Sequence, residues 1–157
     1  MSFEERLQAH WRALDEKHSA EFVAQMDEIV RDAPPAIAAF ERASARDSTG
    51  QSAAAVPLYR EALRIGLTGE RRRRAVIQLS SSLRITGQAE EALALLTAER
   101  AQPSDHLDDA VSAVLALTLT SLGREREAVS VLLTALAPHL PRYQRSMANY
   151  AKQLVVG

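Results

Sequence analysis

The sequence predicts an all-α fold: a solenoid of about three helical hairpins, with a long helix before them and a capping helix after. Three observations predict it. Only 6 Gly and 6 Pro punctuate 157 residues, and good helix formers (Ala, Leu, Arg, Glu) dominate between them. The β-branched and aromatic runs bounded by turns that mark strands are absent. Segments of similar wording recur along the chain, centred on Gly50, Gly87 and Gly123, at spacings of 37 and 36 residues.

Composition bounds the function. With 46% apolar and 25% charged residues the chain can build a core and is not of disordered type. Lys and Arg total 19 against 20 Asp and Glu, a net charge of −1, which disfavours a strongly basic nucleic-acid protein and an acidic solvating tail. The absence of cysteine removes disulfides, thiolate catalysis and Cys-based zinc sites. No apolar run approaches the ~18 residues of a membrane span, and MSFEERLQAH carries acids where a signal peptide needs cations. A cytoplasmic location without a membrane partner is expected.

Residues 1–35 form an acidic amphipathic N-terminal segment. Its apolar stripe runs Phe3, Leu7, Trp11, Leu14, His18, Phe22, Met26, Ile29, a mean step of about 3.7 residues. One long helix is favoured over a hairpin broken near Lys17–Ala20. Pro34 and Pro35 end it, because proline disfavours helical geometry in the residue before it. The segment holds four Lys/Arg against eight Asp/Glu, and the rest of the chain fifteen against twelve. This asymmetry predicts that the acidic segment docks on the basic remainder, in its own chain or in a partner subunit.

The hairpins come next. Five residues after each glycine stands an alanine (Ala55, Ala92, Ala128), and nine after it a large residue (Tyr59, Leu96, Leu132). A glycine can take the left-handed conformation that ends a first helix, and a small alanine lets the second helix cross closely. First-helix apolar positions match in the second and third hairpins, at Val76, Leu79, Ser80, Leu83 and at Ser112, Leu115, Ala116, Leu119. The first hairpin departs, with Arg42 and Arg46 where large apolar residues belong. Either its first helix is shifted so that Ile37, Phe40 and Ala43 point inward, or these arginines meet acids on a neighbouring element. After Pro138 and Pro141, residues 141–157 predict a capping helix with Tyr143, Met147, Tyr150 and Leu154 as its apolar face.

This frame resembles the tetratricopeptide repeat family, whose pattern has a turn glycine, a small residue five later, a large one nine later and Ala twelve later. Ala62 and Ala135 fit the last position and Glu99 does not. The resemblance covers residues 36–140, with hairpins at about 36–67, 73–103 and 108–138. The wording FERASARDSTG and VPLYREAL is similar to a small bacterial subgroup of the family without established activity.

The resemblance implies a right-handed superhelical solenoid, in which the first helices line a concave groove. It implies groove positions at Ile37, Phe40, Ser44 and Asp47, at Arg74, Ile77, Ser81 and Arg84, and at Ala110, Ala113, Leu117 and Thr120. From these, Phe40, Ser44, Asp47, Arg74, Ile77, Ser81, Arg84 and Leu117 form the candidate partner-binding set. Small apolar residues around two arginines suit an extended or helical peptide with an acidic group. The Lys and Asn of the family's carboxylate-binding clamp are missing at the matching positions. Asp47 and Arg84 occupy equivalent places on successive first helices and are expected within about 4 Å of each other.

Other chemistry finds little support. Four consecutive arginines, Arg71–Arg74, fan around a helix and cannot make one patch; no aromatic residue interleaves with them. Asp105, His106, Asp108 and Asp109 open a helix, where acids are ordinary caps, so no metal is assigned. Ser80–Ser82 lacks a His or Lys at a diagnostic spacing, and no phosphate-binding glycine motif occurs. The expected function is a non-enzymatic protein-interaction module without cofactor. The alternatives are a homo-oligomerising protein whose N-terminal helix pairs with or fills the groove of a partner subunit and, more weakly, a nucleic-acid binder using Arg71–Arg74 and Arg84.

Overall fold

Glycine turns set the hairpins. At the end of one first helix Gly87 has φ +83°, a left-handed conformation that side chains with a Cβ rarely adopt. It lets the Gln88 N–H donate back to the Leu83 carbonyl at 2.7 Å, closing the helix end. The same bond recurs from Gln51 to Arg46 (2.8 Å) and from Arg124 to Leu119 (2.9 Å). Each turn launches a second helix whose crossing alanine is buried: Ala55 and Ala92 at 0% exposure, Ala128 at 4%.

The computed structural model describes residues 1–14 and 18–156. Among the described residues it is helical, without strands: α1 Phe3–Arg12, α2 Ser19–Ile29, α3 Pro35–Ser48, α4 Ser52–Arg64, α5 Gly69–Ile85, α6 Ala89–Arg100, α7 Asp108–Ser121, α8 Glu125–Leu136 and α9 Gln144–Gln153, with a 3₁₀ turn at Ala137–His139. No helix among these residues is long and apolar enough to cross a membrane. The chain divides into two compact units, Met1–Ser82 and Leu83–Gly157.

In the first unit, α3 packs on α4 while α1 and α2 form a hairpin of their own against α3. The single N-terminal helix expected from the stripe is therefore two helices. Lys17, at the start of the alternative break, lies outside the described residues. Length explains the outcome. A continuous helix carrying that stripe would run about 39 Å, against about 21 Å for the 14-residue α3. Folding back lets Leu7 of α1 and Phe22, Met26 and Val30 of the α2 segment share a core with Ala38 and Ala45. The His10 ring stacks on Phe22 at 4.0 Å, and its Nε2–H donates to the Phe22 carbonyl at 2.9 Å. Trp11 lies against the same ring at 5.4 Å.

Acid-on-arginine contacts fasten this hairpin to the repeats of its own chain. Asp27 meets Arg46 at 2.9 Å and Arg42 at 3.4 Å. Both departures at the first hairpin are thus explained: the arginines answer an acid on α2, while Phe40 and Ala43 are fully buried. Arg71 bridges Glu4 of α1 (2.8 Å) and the buried Glu41 of α3 (3.1 Å), and the Trp11 indole N–H donates to Glu41 at 3.0 Å.

In the second unit, α6 packs on α7, α7 on α8, and α8 on α9. The capping helix turns only part of its predicted stripe inward: Met147 and Leu154 are half-buried beside Ala151. Ala151 is the residue buried, and the Ser130 hydroxyl donates to its carbonyl at 2.6 Å. Small residues allow that close approach, which leaves Tyr143 at 68% and Tyr150 at 53% exposure.

Removing one partner of a buried ion pair costs more than removing both. Arg71→Gln is expected to lower stability by about 3 kcal/mol, and Glu41→Gln/Arg71→Gln together by clearly less. Urea unfolding of the two variants checks this; equal losses would show that Glu41 is not held by Arg71.

Candidate functional site

The inner positions of the first unit hold a polar network. Asp47, at the end of α3, accepts the Ser82 hydroxyl at 2.9 Å and the Ser52 hydroxyl at 3.1 Å on one oxygen. The Tyr59 hydroxyl lies 3.4 Å from its other oxygen and 3.4 Å from Ser44 Oγ, and Ser44 donates to Gln78 at 3.4 Å. Burial pushes the Tyr59 phenol well above its ordinary range; the Ser44 bond opposes this and the Asp47 charge adds to it. Phe40 lies beside Tyr59, ring centres 6.2 Å apart, with the Arg74 guanidinium over its face at 5.3 Å.

Several of the sequence-derived positions therefore serve packing. Phe40 and Ser44 are sealed at 0% and 1% exposure and shape the surface from beneath, and Ile77 is buried. Asp47 and Arg74 are half-buried and engaged within their own unit. The expected Asp47–Arg84 pair joins residues of different units, whereas the partners of Asp47 in its own unit are three hydroxyls. Sequence reasoning missed Ser52, Gln78 and Ser82 as members of this network. Ser52, two residues after the turn glycine, was the available signal.

Ser81 and Arg84 stand one turn apart near the end of α5, both half-buried. The Nε of Arg84 is buried and has no hydrogen-bond partner among the described residues. In the second unit, α7 presents Ala113, Leu117 and Thr120 on one exposed face, Leu117 at 52%. The Thr120 hydroxyl turns back to the Ala116 carbonyl at 3.0 Å, leaving its methyl to add to that apolar face.

The remaining candidates resolve into structure. Of the arginine run, Arg71 holds Glu4 and Glu41, Arg74 covers Phe40, Arg73 is buried, and Arg72 and Arg73 also have partners. Asp105 accepts the Leu107 N–H at 2.8 Å and Asp108 the Asp105 N–H at 3.2 Å, so these acids close the turn before α7. The N-cap of that helix is Leu107, without a side-chain cap, where an aspartate was expected. Asp109 pairs with His139 at 2.8 Å.

Helical hairpins in one register, closed by glycine turns and leaving part of a first-helix face open, define a repeat scaffold. The chain belongs to the tetratrico peptide repeat family, whose model matches residues 36–154. The family is typically a non-enzymatic scaffold that binds proteins or peptides. No curated protein and no solved structure matches the chain.

The raised Tyr59 pKa has a pH consequence. Its contribution to stability is present below the ordinary tyrosine value of about 10 and is lost as pH rises beyond it, since the unfolded chain ionises first. Alkaline absorbance titration is expected to show one of the 3 tyrosines resisting ionisation until unfolding. Tyr59→Phe should remove that component and cost about 1 kcal/mol at neutral pH. Three tyrosines titrating together in the folded protein would contradict the burial argument.

Proposed function

We propose that the chain is a protein-binding module that holds a peptide or helical segment on the inner face of its first helices. Leu117 supplies the apolar contact and Arg84 the anchor for an acidic group. The observation that carries this reading is the buried Arg84 Nε without a partner, because a guanidinium N–H withheld from water calls for an acceptor. The exposed apolar face of α7 supports it. The engagement of Arg71 and Arg74 inside the fold speaks against the nucleic-acid alternative. Docking of the acidic hairpin on its own chain speaks against its filling a partner subunit.

Panning a random displayed-peptide library against the full chain tests the reading, with an Arg84→Glu/Leu117→Asp variant of unchanged helicity alongside. The wild type should enrich peptides that pair an acidic with an apolar residue, and the variant should bind them at least about tenfold more weakly. Enrichment of the same peptides by both would remove the inner face as the working surface.

A further inference from the structure

α9 repeats the first-helix pattern, and among the described residues no second helix follows to cover it. In α7 the pattern falls on Ser112, Leu115, Ala116 and Leu119, and the same spacing in α9 falls on Met147, Tyr150, Ala151 and Leu154. In α7, which packs between α6 and α8, Leu115, Ala116 and Leu119 are buried at 4%, 2% and 3% exposure. In α9 only Ala151 is buried; Met147 and Leu154 are half-buried and Tyr150 is 53% exposed. One turn earlier, Tyr143 is 68% exposed at φ +68°, the sole non-glycine residue with positive φ among those described. Bulky residues rarely sit there, and such outliers gather at working surfaces.

Charge selects the occupant. Residues 137–157 contain Arg142, Arg145 and Lys152 and no acid. A second copy of α9 would set these cations against themselves. The covering helices of this unit point the other way: α6 carries Glu90, Glu91 and Glu99 against Arg100, and α8 carries Glu125 and Glu127 against Arg126. We propose that the open face of α9, formed by Tyr143, Met147, Tyr150 and Leu154, seats an acidic amphipathic helix of a partner protein in the place of a second helix. It lies on a different helix from Arg84 and Leu117, so it stands or falls separately from the inner-face reading.

The probe is a stapled helical peptide with the α6 sequence AEEALALLTAER, beside a twin carrying E90K, E91K and E99K. Titrated into the full chain, the acidic peptide should shift the ring signals of Tyr143 and Tyr150 and bind at least about tenfold more tightly than the twin. Tyr150→Asp should abolish that binding, and Arg145→Glu/Lys152→Glu, on exposed positions, should reverse the preference between the peptides. No binding by either helical peptide, equal binding by both, or shifts on α7 instead of α9 would overturn the proposal. A doubled mass in solution that Tyr150→Asp abolishes would assign the face to a second copy. Binding to phosphatidylserine vesicles lost in the same variant would assign it to a membrane. Either result overturns the acidic-helix assignment.

Discussion

A helical hairpin buries the surfaces its two helices turn toward each other and leaves its flanks for whatever comes next along the chain. That constraint organises this protein. The flank of α3 is covered by the α1–α2 hairpin, which brings Leu7, Phe22, Met26 and Val30 onto Ala38 and Ala45. The alanines keep that surface flat and small, so binding strength comes from the larger side chains of the hairpin. Polar contacts fix the register. Arg42 and Arg46 meet Asp27 across half-exposed surface, where such pairs contribute at most about 1 kcal/mol each but penalise a slipped alignment. Arg71 and Trp11 together satisfy the buried Glu41, which without them would be a charge with neither solvent nor partner.

Local chemistry was the legible part of the fold. Gly50, Gly87 and Gly123, each followed five residues later by alanine, mark the turns and crossings because left-handed backbone and close approach admit few residue types. The break between α1 and α2 was not legible, since a 3.6-residue stripe is the same whether its helix is continuous or folded back on itself. Length relative to α3 decides that, and length is a tertiary matter. The face of α9 was legible only in part, for a related reason: Met147 and Leu154 are half-buried and Tyr143 and Tyr150 exposed. Periodicity identifies which residues are apolar together, whereas contact with α8 was decided by the small Ala151 and a hydroxyl on Ser130 seeking its carbonyl.

The candidate site was legible by position and not by exposure. Counting back from the turn glycines reached Phe40, Ser44, Asp47, Arg74, Ile77, Ser81, Arg84 and Leu117, but equal positions in different hairpins carry different chemistry. In α3 the large ring of Phe40 draws Tyr59 beneath it and Arg74 above it, and Asp47 gathers hydroxyls. The surface there is consumed by its own neighbours. In α7 the equivalent residues are Ala, Leu and Thr, which make no such demands and leave the face open. Regular spacing predicts where a groove position falls, and side-chain size and polarity then decide whether it remains available.

The arginines show the same division most sharply. Arg71 has two carboxylates, Arg46 has one, and Arg74 has an aromatic face. In each case a guanidinium drawn out of water is compensated within its own unit, which is the condition for burying it without loss. Arg84 differs: its Nε is withdrawn from solvent and meets no acceptor among the described residues. A lysine there could swing its ammonium to water, but the planar guanidinium holds its inner N–H in place. Such a group is a standing cost to the folded chain. On the proposed reading an acidic segment would relieve that cost and a segment lacking the acid would not, so discrimination between the two would follow.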